Sequence, residues 1–329
     1  MISVESRCNT QMRQGRAGLS VSGQSLMPCG VDPFPSESAT TSSGPISGGA
    51  RPVLARARAS AARAALANCH FCAHHCGVDR LVGERGLCRA GPEPHWFLAQ
   101  TEVGDEPELI PTFGVALSGC DLRCDFCITG ASSWNPSAGV AFDAESLAIR
   151  AKQALDAGAR TIMLLGGEPT IHLPAALDLV AALPATATLV WKTNAHGSAE
   201  ARDLLEGMFD VWVADFKFGN DQCARRLAGV NGYLRIVREN LLWANRHTRL
   251  LVRHLLMPGH VDCCWKPVAE WLAAYLPGVR VSLRTAFWPA WHSRRHPELR
   301  GVLSQGEAER ARNLGVALGL RLVEHSWGK

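Results

Sequence analysis

Short apolar runs alternate with stretches of helical period from about residue 105 to the end of the chain. Near-continuous apolar runs of this kind predict strands that are buried on both faces. The six predicted strands are 113–119, 161–167, 187–194, 209–218, 249–259 and 279–287. The predicted helices are 144–158, 173–183, near 199–207, 221–228, 233–246, 263–276 and 306–319.

Strands and amphipathic helices in strict alternation predict βα units around a parallel sheet, an α/β fold. Six units fit a partial (β/α)6 TIM-like barrel better than a closed eightfold barrel. In such folds the reacting groups lie at the carboxyl ends of the strands. The residues that directly follow each strand are therefore the candidate site residues.

The first part of the chain has a different composition. Residues 1–55 are rich in Ser, Gly and Pro and predict a disordered tail. Residues 51–66 are rich in Ala and Arg and predict a short basic helix. We therefore expect a module over 56–104, with that helix and a cysteine cluster, and the barrel over 105–329.

Composition narrows the functional class. The apolar content of 47% supports a large core, and the net charge of +4 is too small to indicate a nucleic-acid partner. No apolar run approaches the roughly 18 residues of a membrane span, and the N-terminus has no apolar signal segment. We expect a cytoplasmic protein without a membrane or nucleic-acid partner.

The chain contains twelve cysteines, which in a protein without a signal segment indicate metal or redox chemistry. One group consists of Cys69, Cys72, Cys76 and Cys88, and another of Cys120, Cys124 and Cys127. Five more are scattered and are interpreted as small apolar residues or incidental thiols: Cys8, Cys29, Cys223, Cys263 and Cys264.

Cys120, Cys124 and Cys127 follow the first predicted strand in the pattern C-x3-C-x2-C. This loop supplies three of the four thiolates of a four-iron cluster and leaves one iron open. A zinc site completed by a distant His or Cys is the alternative. Phe126 is placed to shield the metal or to stack on a neighbouring ring.

Polar groups also follow the next four strands. They are Gly166, Gly167 and Glu168 within the segment GGEP, then Thr193 and Asn194, then Asp215 and Lys217, and finally Arg253. Glycines permit close approach of a ligand, and an arginine suits a carboxylate. A plain turn at GGEP and a buried ion pair among the charged residues are the alternatives. Five successive strand ends with such groups favour a polar cofactor.

The cysteine loop and GGEP together resemble the radical S-adenosylmethionine (radical SAM) superfamily. Within it, the segments TN, DFK and VRHLLMPG at the next three strands resemble the pyruvate formate-lyase activating enzyme and its uncharacterised iron–sulfur relatives. Residues 69–91 are similar to the N-terminal cysteine motif of those relatives. The resemblance covers about residues 69–290.

The resemblance implies a [4Fe–4S] cluster on Cys120, Cys124 and Cys127, with SAM bound to the open iron. One electron from a flavodoxin or ferredoxin would then yield methionine and a 5′-deoxyadenosyl radical that abstracts hydrogen from a substrate. The resemblance assigns Gly166, Gly167 and Glu168 to the SAM amino group, and Thr193 and Asn194 to its ribose and methionine. It assigns Lys217 and Arg253 to the SAM carboxylate. Phe126 and Asp215 are also among the implied cofactor contacts.

The expected activity is that of an oxidoreductase similar to glycyl-radical-enzyme activating enzymes. Radical modification of a peptide or small metabolite is the alternative, and a zinc-binding structural or nucleic-acid-binding protein is the remote one. The chain departs from those relatives at Ile128-Thr129, at Lys192 and Ala195 around TN, and at 285–289. The resemblance therefore carries the cofactor contacts but not the substrate.

The group Cys69, Cys72, Cys76 and Cys88 supplies four thiolates of its own, enough for a tetrahedral zinc or a second iron–sulfur cluster. His70, His74 and His75 lie between these cysteines and can replace one thiolate. The spacing does not distinguish zinc from iron.

Overall fold

A computed structural model of the chain describes residues 50–104 and 106–323. The strands are β1 (His95–Glu102), β2 (Thr112–Leu117), β3 (Val140–Ala141), β4 (Thr161–Gly166), β5 (Leu189–Thr193), β6 (Val211–Asp215), β7 (Arg249–Leu255), β8 (Arg280–Arg284) and β9 (Arg321–Leu322). The helices are α1 (Arg51–Ala64), α2 (Gly130–Trp134), α3 (Ala144–Asp156), α4 (Leu173–Ala182), α5 (Ala199–Leu205), α6 (Asp221–Ala228), α7 (Tyr233–His247), α8 (Lys266–Tyr275) and α9 (Gln305–Ala317).

One sheet contains all nine strands of the described residues, in the order β3-β1-β2-β4-β5-β6-β7-β8-β9, and it does not close. From β2 to β9 each strand runs parallel to its neighbour. The six predicted strands correspond to β2 and β4–β8, which confirms the partial barrel. The sequence analysis missed β1, an antiparallel neighbour of β2, because its segment HWFLAQTE mixes polar and apolar positions and is only partly buried.

The inner face of the sheet has an apolar layer below a charged one. The apolar layer consists of Leu109, Met163, Val190, Val211, Val213, Leu251 and Val323. Leu109 comes from the segment between β1 and β2. Successive residues of a strand point to opposite faces, so Lys192, Asp215 and Arg253 lie on this same face, nearer the carboxyl ends of β5, β6 and β7.

Helix α1 packs along α4 through small residues. Ala55, Ala59 and Ala62 repeat at helical spacing and are at most 1% exposed. Helix α1 begins at Arg51, which corrects the predicted tail boundary, because residues 51–55 are helical. The rest of the predicted tail, residues 1–49, lies outside the described residues. No helix in the described ranges is both long and apolar enough to span a bilayer.

Candidate functional site

The loop 118–127 follows β2 and carries the three cysteines at the carboxyl end of the parallel strands. Cys120 and Cys124 are buried, whereas Cys127 is partly exposed. The backbone N–H of Leu122 donates to Cys120 Sγ at 3.3 Å. The loop also docks on the end of α6, because the N–H of Asp125 donates to the carbonyl of Leu227 at 2.9 Å. The three thiols are therefore presented by a braced segment.

Burial keeps Cys120 and Cys124 protonated in the metal-free protein. It raises the pKa of Cys120 well above its ordinary value, and the charge of Asp121 raises it further. Burial likewise raises the pKa of Cys124 to about 12, although the Lys217 ammonium opposes the shift. Iron binds thiolates, so loading a metal on this loop must release protons.

Gly166 and Gly167 press directly against the cysteine loop. A Cβ on Gly167 would lie 1.9 Å from the carbonyl oxygen of Gly119, and one on Gly166 would lie 2.2 Å from that of Leu117. The Gly167 N–H donates to the Leu117 carbonyl, and the N–H of Glu168 to that of Gly119, each at 2.9 Å. The glycines of GGEP thus allow two strand ends to touch. Their predicted contact with SAM stays a prediction.

Glu168 joins the ends of β4 and β5. Its buried carboxylate accepts hydrogen bonds from Thr170 Oγ1 at 2.5 Å, Thr193 Oγ1 at 2.8 Å and the Asn194 N–H at 2.7 Å. Burial and the nearby charge of Asp121 raise the pKa of Glu168 to about 7. The structure therefore gives Glu168 and Thr193 a bracing role, and their predicted contacts with the cofactor stay predictions.

Asp121 is a buried site residue that the sequence analysis missed. Its Oδ1 accepts from Asn194 Nδ2 at 2.6 Å, and its Oδ2 lies 2.8 Å from His196 Nδ1. Burial favours the neutral carboxyl, but the hydrogen bond and charge of His196, together with Asn194, lower the pKa of Asp121. Asn194 also lies 3.7 Å from Cys120 Sγ through its Nδ2. A residue inside the spacing of a cysteine motif carries no signal of this role.

The charged layer forms an ion-pair network. Lys217 Nζ pairs with Asp215, whose other oxygen lies 3.8 Å from Arg253 Nε. Arg253 Nη1 also lies 3.5 Å from Glu106, a fully buried carboxylate, and Lys192 Nζ lies 3.9 Å from it. Lys217 and Arg253 thus form ion pairs, which the sequence analysis gave as the alternative to a cofactor contact. Whether they also bind the SAM carboxylate stays a prediction.

Burial and charge act in opposite directions on this network. Burial favours neutral Asp215, but Lys217 and Arg253 outweigh it and lower the pKa of Asp215. Burial likewise favours neutral Lys217, but Asp215 and Cys124 raise the pKa of Lys217. Both side chains are therefore charged near neutral pH, and the Lys217 ammonium acts on the cysteine loop.

Aromatic side chains surround the loop. Phe126 is buried and meets Phe218 edge-on, with ring centroids 6.1 Å apart. Trp291 lies against Gly130 and packs on Trp134 at 5.8 Å. The segment after β8 also reaches the cysteine loop, because the His292 N–H donates to the Asp125 carbonyl at 2.7 Å. Trp288 is 68% exposed. Both Trp288 and Trp291 belong to the segment that follows β8.

The segment 69–88 docks on the loops after β2 and β5. The N–H of Ala73 donates to the His196 carbonyl at 3.0 Å, and His74 Nε2 lies 3.0 Å from the carbonyl oxygen of Asp121. The cysteine-rich segment therefore contacts both the cluster loop and its supporting network. The predicted boundary between residues 104 and 105 stays a prediction.

Sulfur spacing distinguishes the cysteine groups. Two groups in the described residues have at least three possible ligand atoms that all lie within 4.8 Å of one another. One consists of His74, Asp121 and His196, and the other of Cys223, His260, Cys263 and Cys264. Neither contains Cys120, Cys124 and Cys127, nor any of Cys69, Cys72, Cys76 and Cys88. A tetrahedral zinc would hold its sulfurs about 3.8 Å apart. The wider spacing of the loop thiols fits a cluster that engages each on a different iron.

Comparison with known proteins supports this geometry. Residues 115–272 match the radical SAM superfamily, a range that contains the cysteine loop and every strand from β4 to β7. Residues 115–272 form a radical SAM domain. The radical SAM family implies SAM and a [4Fe–4S] cluster, and the cysteine loop within this matched domain is compatible with both.

The chain is 29% identical over 283 residues to the uncharacterized protein MJ0674 of Methanocaldococcus jannaschii, covering 83% of this chain and 81% of that protein. Its fold is similar to that of Streptococcus suis SuiB bound to S-adenosylmethionine, with a TM-score of 0.50 and 15% identity over 63% of this chain. It covers 48% of SuiB, about half that protein's length. A pyruvate-formate lyase-activating enzyme domain from Bacteroides vulgatus matches with a TM-score of 0.40 and 17% identity, over 49% of this chain and 96% of that domain.

Proposed function

We propose that this enzyme reductively cleaves SAM at a [4Fe–4S] cluster on Cys120, Cys124 and Cys127 and abstracts hydrogen from its substrate, as glycyl-radical-enzyme activating enzymes do. The observation that carries the proposal is the braced loop of three spread thiols at the carboxyl ends of parallel strands. When bound, the cluster supplies the electron and SAM supplies the radical.

The residues around the loop would position the cofactor. Asp121 and Glu168 hold Asn194 beside Cys120 through side-chain and backbone hydrogen bonds. Asp215 in turn holds Lys217, the ammonium that acts electrostatically on Cys124. We propose that Lys217 and Arg253 address the SAM carboxylate, and that the strand end from Gly166 to Glu168 addresses its amino group.

Aromatic residues would keep water from the reacting atoms. Phe126 and Phe218 form a buried apolar wall directly beside Cys127 and Lys217. A site closed to water protects a carbon radical and strengthens its electrostatic contacts. Trp288 stays exposed beside the strand ends and is available for substrate contact.

The electron donor and the second metal are part of the proposal. We propose a flavodoxin or ferredoxin as donor. We also propose that the group Cys69 to Cys88 holds zinc or an auxiliary cluster. The Arg80 guanidinium lies 3.7 Å from Cys69 Sγ. Burial raises the pKa of Cys72 and Cys88, so metal loading there also competes with protons.

Anaerobic purification of the full chain tests the proposal. We expect iron and sulfide in equal amounts, an electron paramagnetic resonance signal after reduction, and 5′-deoxyadenosine from SAM. A Cys124→Ser variant should lose the cluster signal and product formation together. The matched control is Cys29→Ser, which lies in neither cysteine group and should keep both. Product formation by Cys124→Ser at the wild-type level would refute the assignment.

The substrate class needs a separate test. Extracts of cells grown on deuterated glycine are first separated into protein and small-molecule fractions. The enzyme is then incubated with SAM, a reductant and each fraction in turn. Deuterium in 5′-deoxyadenosine with the protein fraction supports the activating-enzyme function. Deuterium only with the small-molecule fraction would instead support modification of a metabolite. Labelling by short peptides would support peptide modification.

A further inference from the structure

A third sulfur-rich group lies outside both cysteine motifs. Cys223, Cys263 and Cys264, which the sequence analysis interpreted as incidental, converge with His260. Cys263 Sγ lies 3.9 Å from the sulfurs of both Cys223 and Cys264. His260 Nδ1 lies 3.8, 3.2 and 3.5 Å from the sulfurs of Cys223, Cys263 and Cys264.

These separations match those imposed by one small tetrahedral ion. With metal–sulfur and metal–nitrogen bonds of about 2.3 and 2.0 Å, tetrahedral geometry gives S···S near 3.8 Å and S···N near 3.5 Å. We propose that Cys223, His260, Cys263 and Cys264 form a Cys3His site for a zinc ion. Three soft thiolates and an imidazole are a donor set that zinc prefers.

The spacing also argues against other roles for these thiols. A disulfide needs a bond of about 2.05 Å, whereas the sulfur atoms lie 3.9 Å apart and all three cysteines are free. A four-iron cluster binds each cysteine to a different iron and so requires wider separations. Close mutual contact of four ligand atoms favours a single ion.

Local structure presents each ligand. Cys223 lies in the first turn of α6, where its N–H donates to the capping Asn220 side chain at 2.7 Å. Cys263 and Cys264 lie in one turn of π-helix, Val261–Trp265, at the start of α8. Such turns are rare and frequently occur at functional sites. A Cβ on Gly219 would lie 2.4 Å from the Cys264 carbonyl, so a glycine is needed where the two segments meet.

Outer groups orient the histidine. The Nε2 of His260 points away from the thiols and lies 3.6 Å from Glu298 Oε1. Glu298 pairs with Arg226 Nη1 at 2.6 Å. Arg226 Nη2 also lies 3.4 Å from His260 Nε2. Metal-bound histidines usually have a carboxylate near their second nitrogen, and Glu298 is that carboxylate here. Arg226 also offsets the net negative charge that three thiolates leave on a zinc ion.

The site joins three parts of the barrel rim. Cys223 follows β6, the other three ligands follow β7, and Glu298 belongs to the segment after β8. Cys223, His260 and Cys264 are less than a tenth exposed. A zinc ion here would therefore tie three strand ends together, close to the segment 217–219 and outside the cysteine loop.

The first test is metal analysis of the full-length protein. We expect zinc in addition to iron, and the His260→Gln and Cys263→Ser variants should each lose about one zinc per chain while they keep the cluster iron. Cys263 is the least buried ligand, which makes its serine variant the least disruptive. One control is Cys29→Ser, which should keep all its zinc. The other is Cys76→Ser, which should keep the zinc at His260 and Cys263 whatever metal the Cys69 group holds. Unchanged zinc in both ligand variants would overturn the proposal.

A spectroscopic test reports the metal ligands directly. The Cys76→Ser protein is produced in cells grown with cobalt in place of zinc. Its visible absorption is compared with that of a protein that carries both Cys76→Ser and His260→Gln. Tetrahedral cobalt with thiolate ligands should give intense visible bands that the added substitution shifts or removes. X-ray absorption at the zinc edge of Cys76→Ser protein should show three sulfurs and one nitrogen. Iron at this site, or zinc with only oxygen and nitrogen ligands, would contradict the proposal.

Discussion

The loop of Cys120, Cys124 and Cys127 and the group around Cys263 use the same side chain in opposite ways. The loop cysteines are close in sequence, but their sulfurs do not all come within 4.8 Å of one another, whereas Cys223 and Cys263 are distant in sequence and their sulfurs lie 3.9 Å apart. Sequence spacing thus identifies a shared loop, and only spatial convergence indicates a shared ion.

The two groups also differ in what supports them. The loop rests on buried hydrogen-bonded carboxylates, Asp121 and Glu168, and on the buried His172 ring. The second group rests on Glu298 and Arg226, which are 28% and 42% exposed. Substitutions that remove support should therefore cost more at the loop than at the second group.

The largest effect is expected for Asp121→Asn. Asp121 accepts from Asn194 on one oxygen and faces His196 on the other, so an amide removes the buried charge and replaces the acceptor beside His196 Nδ1 with an N–H donor. Leaving a buried donor unpaired costs about 3 kcal/mol of unfolding free energy. Chemical denaturation checks this, with Asp156→Asn as control, because Asp156 forms an exposed pair with Lys152 worth below about 0.5 kcal/mol. Equal effects of the two substitutions would contradict a supporting role for Asp121.

Acid should weaken the loop through His172. Burial lowers the pKa of His172 to about 3, and the ring lies 2.8 Å from the Ser118 carbonyl, where the loop begins. The unfolded chain, with an ordinary histidine pKa near 6.5, binds more protons below that pH. Stability is therefore complete above about pH 6.5 and falls as the pH drops, by about 2 kcal/mol between pH 6 and 4.5.

A His172→Gln variant checks this sign. Glutamine can still donate to the Ser118 carbonyl but does not titrate. The decline in unfolding free energy between about pH 6 and 4.5 should be smaller than in the wild type by about 2 kcal/mol. Parallel pH profiles for the two proteins would contradict a neutral buried His172.

A smaller effect is expected at the second group. Glu298→Gln removes the charge that orients His260, and loss of such an outer partner weakens metal affinity by about tenfold. Competition with a chromophoric zinc chelator measures it. Glu270→Gln, in an exposed pair with Lys266, should leave the affinity unchanged. A full loss of zinc in Glu298→Gln would indicate that the carboxylate is itself a ligand.

The smallest effect concerns Ala195, which directly follows Asn194 after β5. Its φ is +58°, a left-handed conformation that costs a non-glycine residue about 1 kcal/mol. Ala195→Gly should therefore stabilise the loop after β5 by up to about 1 kcal/mol. Ala201→Gly, inside α5, should destabilise by a similar amount. Thermal unfolding compares them, and destabilisation of the same size by both would exclude strain at Ala195.

Much of the fold could be predicted from the apolar runs. The strands β2 and β4–β8 fall within or beside the predicted ranges, because each is buried on both faces and reads as a continuous apolar segment. The strand β1 could not be read in this way, because it is half exposed. The Cys120 loop and GGEP were found because neighbouring residues carry the whole motif, whereas Asp121 and Glu106 act through partners from other strands.

The sequence by itself determined the alternation of strands and helices, the loop of three cysteines and the polar groups at the strand ends, since each depends on residues close together along the chain. The tertiary structure alone decided which of these groups meet. It placed Glu168 on Thr193 and Asn194, paired Lys217 with Asp215, and brought Cys223 to Cys263 from different βα units. Register and packing between distant segments set those contacts, and no local pattern encodes them.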